Sequence, residues 1–204
     1  NTISNFETSD DRIINLEKEV IKTSNSFNKA VKLLSSKRKA SATRMSKIIT
    51  SHIFEMDMES TSFHINLSKS ESHSSLGNDD CEFFIRTNIG EDLRPLSKIA
   101  SGGEVSRIML AIKLALQNKD KTDTLVFDEI DSGISGSTAE TVGCKINELG
   151  RRYQIICISH LSQIAGKGCN HFKVEKHQIN KRTVVSIDKL TKSKRIKEIA
   201  SLIS

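Results

Sequence analysis

A chain of 204 residues has room for one or two domains. Aromatic residues are only 4% of it and tryptophan is absent, so its core must be mostly aliphatic. No apolar run approaches the roughly 20 residues of a membrane span, no signal peptide is visible, and a net charge of +6 permits contact with nucleic acid without establishing it.

Residues 12–49 read as one long helix. Ile13, Leu16, Val20, Thr23, Phe27, Ala30 and Leu34 fall in a 3-4 alternation, the seam of a coiled coil, which decays beyond Leu34. The same spacing would suit an amphipathic helix lying on its own domain. From Val20 to Phe54 the helix carries Lys22, Lys29, Lys32, Lys37, Arg38, Lys39, Arg44 and Lys47 and no acid. Such a run is either a solvated face or a strip facing DNA, and its self-repulsion calls for compensation. A domain boundary is expected near residue 50, with an arm over 1–50 and a globular part over 51–204.

Phe63, Ile65 and Leu67 mark a half-buried strand, and Ser68 to Asp80 reads as a polar loop. Cys81 to Arg86 is a second strand, Asn88 to Glu91 a turn, and Pro95 lies in the loop leading to Ser101. Ser101-Gly102-Gly103-Glu104 then opens a helix whose stripe is Val105, Ile108, Met109, Ile112, Ala115 and Leu116. Ser101 and Glu104 have capping-box spacing. The two glycines leave backbone N–H groups open to an anion, or are simply tolerated in an ordinary capped helix.

After a polar connection over Asn118 to Asp123 comes Leu125-Val126-Phe127, the pattern of a strand buried on both faces. Asp128 and Glu129 follow at its carboxyl end, where open α/β sheets place their ligands. Adjacent carboxylates there suit metal–nucleotide chemistry: one can hold Mg²⁺ and the other can orient a water. The chain turns through Gly133 and Gly136 into a second helix. Its cap is expected at Ser137 and Glu140, its stripe at Ala139, Val142, Ile146 and Leu149, and its end at Gly150. Ile155 to Ile158 is a further buried strand, parallel to the first, and Ser159-His160 sits at its end. A short helix over Leu161 to Ala165, a hairpin from His171 to Leu190 with a polar loop around Gln178 and Asn180, and a terminal helix over Lys194 to Ile203 complete the chain. Ile196, Ile199, Ala200, Leu202 and Ile203 give that helix an apolar face. Between Lys167 and Lys197 ten Lys and Arg stand against Glu175 and Asp188, again either a solvated face or a DNA contact.

Cys81, Cys144, Cys157 and Cys169 have no metal-ligand spacing and form no CxxC, so they read as free thiols of a reducing cytosol. No phosphate-binding loop of the form GxxxxGK[ST] occurs; Lys167 in Gly166-Lys167-Gly168 is followed by glycine and lacks the strand-loop-helix setting. The chain alone is therefore expected to bind ATP weakly and not to turn it over. It begins at Asn1 without methionine, as a fragment would.

Taken in order, Ser101-Gly102-Gly103-Glu104, Leu125-Val126-Phe127-Asp128-Glu129, Asp131-Ser132-Gly133 and Ile158-Ser159-His160 resemble the signature motif, Walker B, D-loop and switch histidine of ABC-type ATPase heads. The longer wording over 93–107, 127–136 and 159–166 resembles the RecN family of bacterial DNA-repair ATPases, relatives of the chromosome-organising SMC proteins. Ala100 in place of leucine and Glu104 in place of glutamine depart from the common ABC signature and agree with RecN wording. The resemblance implies the C-terminal lobe of an ABC/SMC-type α/β head, a partly parallel sheet flanked by helices, preceded by the returning helix of a coiled-coil arm. It implies ATP and Mg²⁺ as cofactors. In one head Asp128 would hold Mg²⁺, Glu129 would orient the attacking water and His160 would touch the γ-phosphate. Ser101, Gly102, Gly103 and Glu104 would serve the partner head's nucleotide, with Asp131, Ser132 and Gly133 near the seam. The implied partners are an N-terminal lobe carrying Walker A, a second head joined through ATP, DNA (ends or single strands among the forms), and recombination proteins such as RecA. The implied setting is the nucleoid in the cytoplasm, and the implied process is double-strand break repair and recombination. The alternatives are another SMC-like chromosome-organising or end-processing head, or a non-catalytic DNA-binding or dimerisation module. An ABC transporter subunit fits less well, because it lacks a coiled-coil arm.

Overall fold

A computed structural model describes residues 2–99, 101–116, 121–179 and 182–203, with side chains except at 2–10, 73 and 179. Ala100, much of the Asn118–Asp123 connection and Asn180 lie outside the described residues. The chain forms two compact units, residues 1–45 with 64–83, and residues 46–63 with 84–204.

The first unit is built on helix α1, Thr2–Phe54, whose C-terminal part belongs to the second unit. The helix is longer at both ends than the 12–49 read from periodicity. At 53 residues it would run about 80 Å at 1.5 Å per residue. Ile13, Leu16 and Val20 are more than half exposed, so this part of the seam does not lie on its own domain.

Beside α1 stand strands β1, Ser62–Ser74, and β2, Gly77–Arg86. The expected loop over Ser68 to Asp80 is thus a correction: it is two strands and a tight turn. Serine-rich composition hid the strand because β1 there packs little and presents polar side chains outward. The turn is closed locally, with Ser74 Oγ donating to Gly77 O at 2.9 Å and accepting the Leu76 N–H at 3.1 Å. Gly77 has φ +93°, where a side chain is disfavoured. The strands are tied to α1 through Asp79, which accepts from Ser35 Oγ at 2.6 Å and from Arg38 at 2.9 Å. These two donors hold its carboxyl below the usual range. Asp79 compensates one cation of the basic face of α1, Arg38.

The second unit holds the core. Ile49, Ile53, Met56, Phe63, Ile85, Ile108, Leu110, Ile130, Val142 and Leu149 are essentially inaccessible, and none of the largest fully buried side chains belongs to the first unit. Strand β3, Arg94–Pro95, pairs antiparallel with β2, giving the order β1-β2-β3. Helix α2, Gly102–Leu116, strand β4, Thr124–Phe127, helix α3, Gly136–Leu149, and strand β5, Gln154–Cys157, follow. β4 and β5 pair in parallel, Leu125 opposite Ile155 and Phe127 opposite Cys157, with α3 as the crossover, as the pattern required.

Three local expectations need correction. Only one face of β4-β5 is covered: Leu125 and Phe127 are buried, whereas Val126, Ile156 and Ile158 are at least half exposed. Helix α3 starts two residues earlier than a Ser137 cap would allow, with Ser135 as N-cap, because Gly136 at φ +54° redirects the chain one residue before Ser137. In α2, Met109 faces outward at 44% exposure and Arg107 is buried instead.

Helix α4, Ser162–Ala165, the antiparallel strands β6, Phe172–Ile179, and β7, Arg182–Lys189, and helix α5, Lys192–Ser201, end the chain. None of α5 is fully buried, and Ile196 is 64% exposed. The helix is held by polar groups instead: Arg195 donates to the carbonyls of Ala165 and Gly166, and Glu198 pairs with Lys173. No described helix is long and apolar enough to cross a membrane.

Candidate functional site at the carboxyl ends of two parallel strands

The site is assembled by two features of local sequence. Apolar β4 and β5 end together because they are parallel and in register, so Asp128-Glu129 and Ser159-His160 emerge at the same edge. Ser101 caps α2 from the loop before it, accepting the Glu104 N–H at 3.4 Å, with Val105 N–H donating to Ser101 O at 3.1 Å. Among the described bonds Glu104 returns none to Ser101, so half of the expected capping box is present.

Two residues that the sequence reading assigned no role bind these pieces together. Ser106 Oγ donates to Asp128 O at 2.7 Å, and Arg107 Nη1 donates to Ser132 O at 2.8 Å and Ile130 O at 3.3 Å. They staple helix α2 to the end of strand β4 and the turn after it. Burial draws the Arg107 pKa down, opposed by Glu104. The signal was an arginine amid an apolar helix, a residue seldom buried without a polar purpose.

Asp128 is exposed, and its Oδ1 accepts the Glu129 N–H at 2.9 Å. Its other oxygen has no hydrogen bond among the described residues, which suits a hard cation that keeps most of its own water. No group of three or more His, Cys, Asp and Glu forms a metal cage among the described residues. Glu129 has φ +55°, an unusual conformation for a side-chain-bearing residue. Its carboxylate rests against Gly102. Ile99, Ser101, Gly102, Val105, Ser106, Asp128 and Glu129 line one open cleft of about 310 Å³.

Asp131 is 4% exposed and serves as a clamp. Its Oδ2 accepts from Ser159 Oγ at 2.6 Å and His160 N–H at 2.8 Å, and lies 3.1 Å from His160 Nδ1. The His160 ring itself is largely exposed. Asp131 and His160 are thus one unit, and Ser132 and Gly133, at φ +74°, form the turn beside them. Cys157 lies nearby, its thiol pushed up to about 11 by burial first and by Asp131 and Asp128 second. It stays protonated and inert.

The two glycines differ in what their missing side chains permit. A Cβ at Gly103 would come within 2.8 Å of Ser132 O and Ser132 Cβ, whereas at Gly102 it would meet only the far end of the Glu129 side chain. Gly103→Ala is expected to lower stability by about 1–3 kcal/mol in urea unfolding. Gly102→Ala should change it by well under half of that. Equal effects would mean that the Gly103–Ser132 contact does not set the spacing of the two loops.

The second basic region is partly consumed internally. Lys167 pairs with Glu140, Lys173 with Glu175 and Glu198, Arg195 with carbonyls, and Lys189 sits 5.9 Å from the Phe172 ring. Of the eight Lys and Arg between Val20 and Phe54, only Arg38 is drawn into an ion pair among the described residues, with Asp79.

No protein-family profile matches the chain. Curated sequences do. The chain is 39% identical over 189 residues to the DNA repair protein RecN of Rickettsia bellii, covering 93% of this chain and 34% of that protein. It is 36% identical over 199 residues to RecN of Haemophilus influenzae, and 38% over 202 residues to RecN of Vibrio cholerae, covering 97% and 98% of this chain. The chain spans about a third of the length of these relatives. In fold it is similar to the Smc head domain with a coiled coil and joint from Pyrococcus yayanosii, with TM-score 0.58 at 20% identity over 82% of this chain and 30% of that one. It is likewise similar to the Smc head domain with an extended coiled coil from Pyrococcus furiosus, with TM-score 0.53 at 20% identity over 82% of this chain and 39% of that one.

Proposed function

The chain belongs to the RecN family, matching its C-terminal part, and from that premise we propose that it is the signature-bearing half of an ATPase head that acts in repair of DNA double-strand breaks. The observation that carries this reading is the meeting of four motif segments at one sheet edge, with Asp131 clamping His160 behind Asp128 and Glu129. Asp128 holds Mg²⁺ through water and Glu129 orients the attacking water; His160 contacts the terminal phosphate. Ser101, Gly102 and Gly103 with the α2 N-terminus meet the nucleotide of a partner head, and Glu104 completes that first turn. Two-fold pairing of heads makes two such sites from one contact, so ATP engages heads and hydrolysis releases them. On engagement Glu129 leaves its resting place against Gly102. A lobe carrying the phosphate loop covers the bare face at Val126, Ile156 and Ile158. DNA and recombination proteins of the RecA kind are the partners of the whole protein, which acts at the nucleoid in the cytoplasm.

Calorimetry with Mg²⁺ and ATP tests the half-site. The chain alone should bind weakly or not at all, and fusion to the N-terminal lobe of a RecN relative should restore binding. Tight binding by the chain alone would overturn the composite site.

A further inference from the structure

Groups that a composite site sends to two different nucleotides share one cleft in this chain. Asp128 and Glu129 line it from the end of β4, and Ser101 and Gly102 line it from the start of α2. The Glu129 carboxylate lies over Gly102, so close that a Cβ at residue 102 would strike its Oε2. In the proposed head Glu129 attends its own nucleotide, whereas Gly102 attends the partner's. A carboxylate at rest on Gly102 serves neither. It also holds negative charge where the partner's phosphate has to arrive.

The backbone cannot relieve this contact. Ser106 Oγ donates to Asp128 O at 2.7 Å, the Glu129 N–H donates to Asp128 Oδ1 at 2.9 Å, and the Ser132 N–H donates to Glu129 O at 3.0 Å. Arg107 holds the carbonyls of Ile130 and Ser132. The chain on both sides of residue 129 is therefore tied to α2, and φ +55° sets the direction of the side chain. Only the side chain can move. Glu129 is exposed, and its carboxylate accepts no hydrogen bond among the described residues. Charge is what favours the resting place: the open N–H groups at the start of α2 carry partial positive charge, which stabilises a carboxylate beside them.

We propose that the Glu129 carboxylate is an autoinhibitory occupant of the α2 N-terminus, opposing engagement of heads until it swings away. This rests on the reading of the chain as half of a composite ATP site, and adds to it a resting state in which the residue meant for one site closes the other. Nucleotide bound in one head, with its water, draws Glu129 off Gly102 and so opens that head to its partner. No covalent bond changes; rotation of one side chain suffices.

The test uses the complete protein with Mg²⁺ and saturating AMP-PNP, an ATP analogue that is not hydrolysed. Engagement is read as energy transfer between copies carrying donor and acceptor labels on α5, across a protein titration. Without turnover, loss of a water-orienting carboxylate cannot by itself trap engaged heads. Glu129→Gln is still expected to tighten engagement by about three- to thirtyfold, from releasing one carboxylate at one helix end in each of two heads. Glu129→Asp keeps the charge, draws it back from Gly102 by one methylene and tolerates the positive φ, so it should tighten engagement as well. Equal engagement by the parent and Glu129→Gln would overturn the autoinhibitory contact. So would a gain with glutamine and none with aspartate, which would assign the effect to charge at the head's own nucleotide. The composite site survives both of those results, because it requires only that parent heads engage. Parent heads that never engage with AMP-PNP would remove the composite site and this contact with it.

Discussion

Glu129→Gln in the complete protein is expected to lower ATP turnover by about 10²–10⁴-fold while leaving ATP binding in place. The amide keeps the size and the hydrogen-bonding reach of the carboxylate but cannot accept the proton of the attacking water. Heads should therefore accumulate as an ATP-bound dimer, visible by size-exclusion chromatography with light scattering. Rapid turnover by this variant would remove Glu129 from the catalytic role and leave Asp128 as the only carboxylate at the strand end. A companion pair tests the backbone. At φ +55° a β-carbon is disfavoured, so Glu129→Gly should be more stable than Glu129→Ala by about 1 kcal/mol. If the two unfold alike, the turn does not impose that conformation on residue 129. The comparison matters because the turn aims the carboxylate: a relaxed turn would free it from both Gly102 and the strand end.

Asp131→Ala is the second large effect. The substitution removes one buried carboxylate and leaves the Ser159 hydroxyl and the His160 N–H without their acceptor. It also takes the anion away from His160 Nδ1. Loss of about 2–4 kcal/mol in urea unfolding is expected, since buried donors left unpaired lose water without gaining a partner. Amide exchange at His160 should speed up more than exchange in the middle of α3. Asp131→Asn should fall between the two, because one acceptor oxygen remains but an NH₂ now crowds the donors. An Ala variant as stable as the parent, with unchanged exchange at His160, would show that Asp131 does not hold the loop that carries His160. In the whole protein the same variant should lower turnover without abolishing nucleotide binding, since His160 would lose its orientation rather than its ring.

These two residues differ in how visible they were beforehand. Glu129 could be singled out because an apolar run followed by two acids puts carboxylates at a strand's end, and both the run and the acids are local. Asp131 was placed near the head seam by resemblance alone. Its bonds to Ser159 and His160 span 28 and 29 residues, and nothing in the spacing announces them. Arg107 was hidden for a related reason. A helical stripe is read from apolar residues, so a buried arginine counts against the stripe until the carbonyls it serves are known. The strand at Ser68 was missed because strands are read from β-branched and aromatic residues, and this one is held by its neighbour and its turn instead.

By itself the sequence determined the long N-terminal helix, the parallel βαβ unit and the residues at the two strand ends. Those depend on periodicity and on short-range turn chemistry, which each segment carries within itself. Only the tertiary structure decided that Val126, Ile156 and Ile158 are bare, and that Arg107 and Asp131 join loops far apart in the chain. Only there did the Glu129 carboxylate come to lie against Gly102. An apolar or charged residue has the same local signal whether its partner is present or lies elsewhere. Burial and pairing are settled by what the fold brings alongside it.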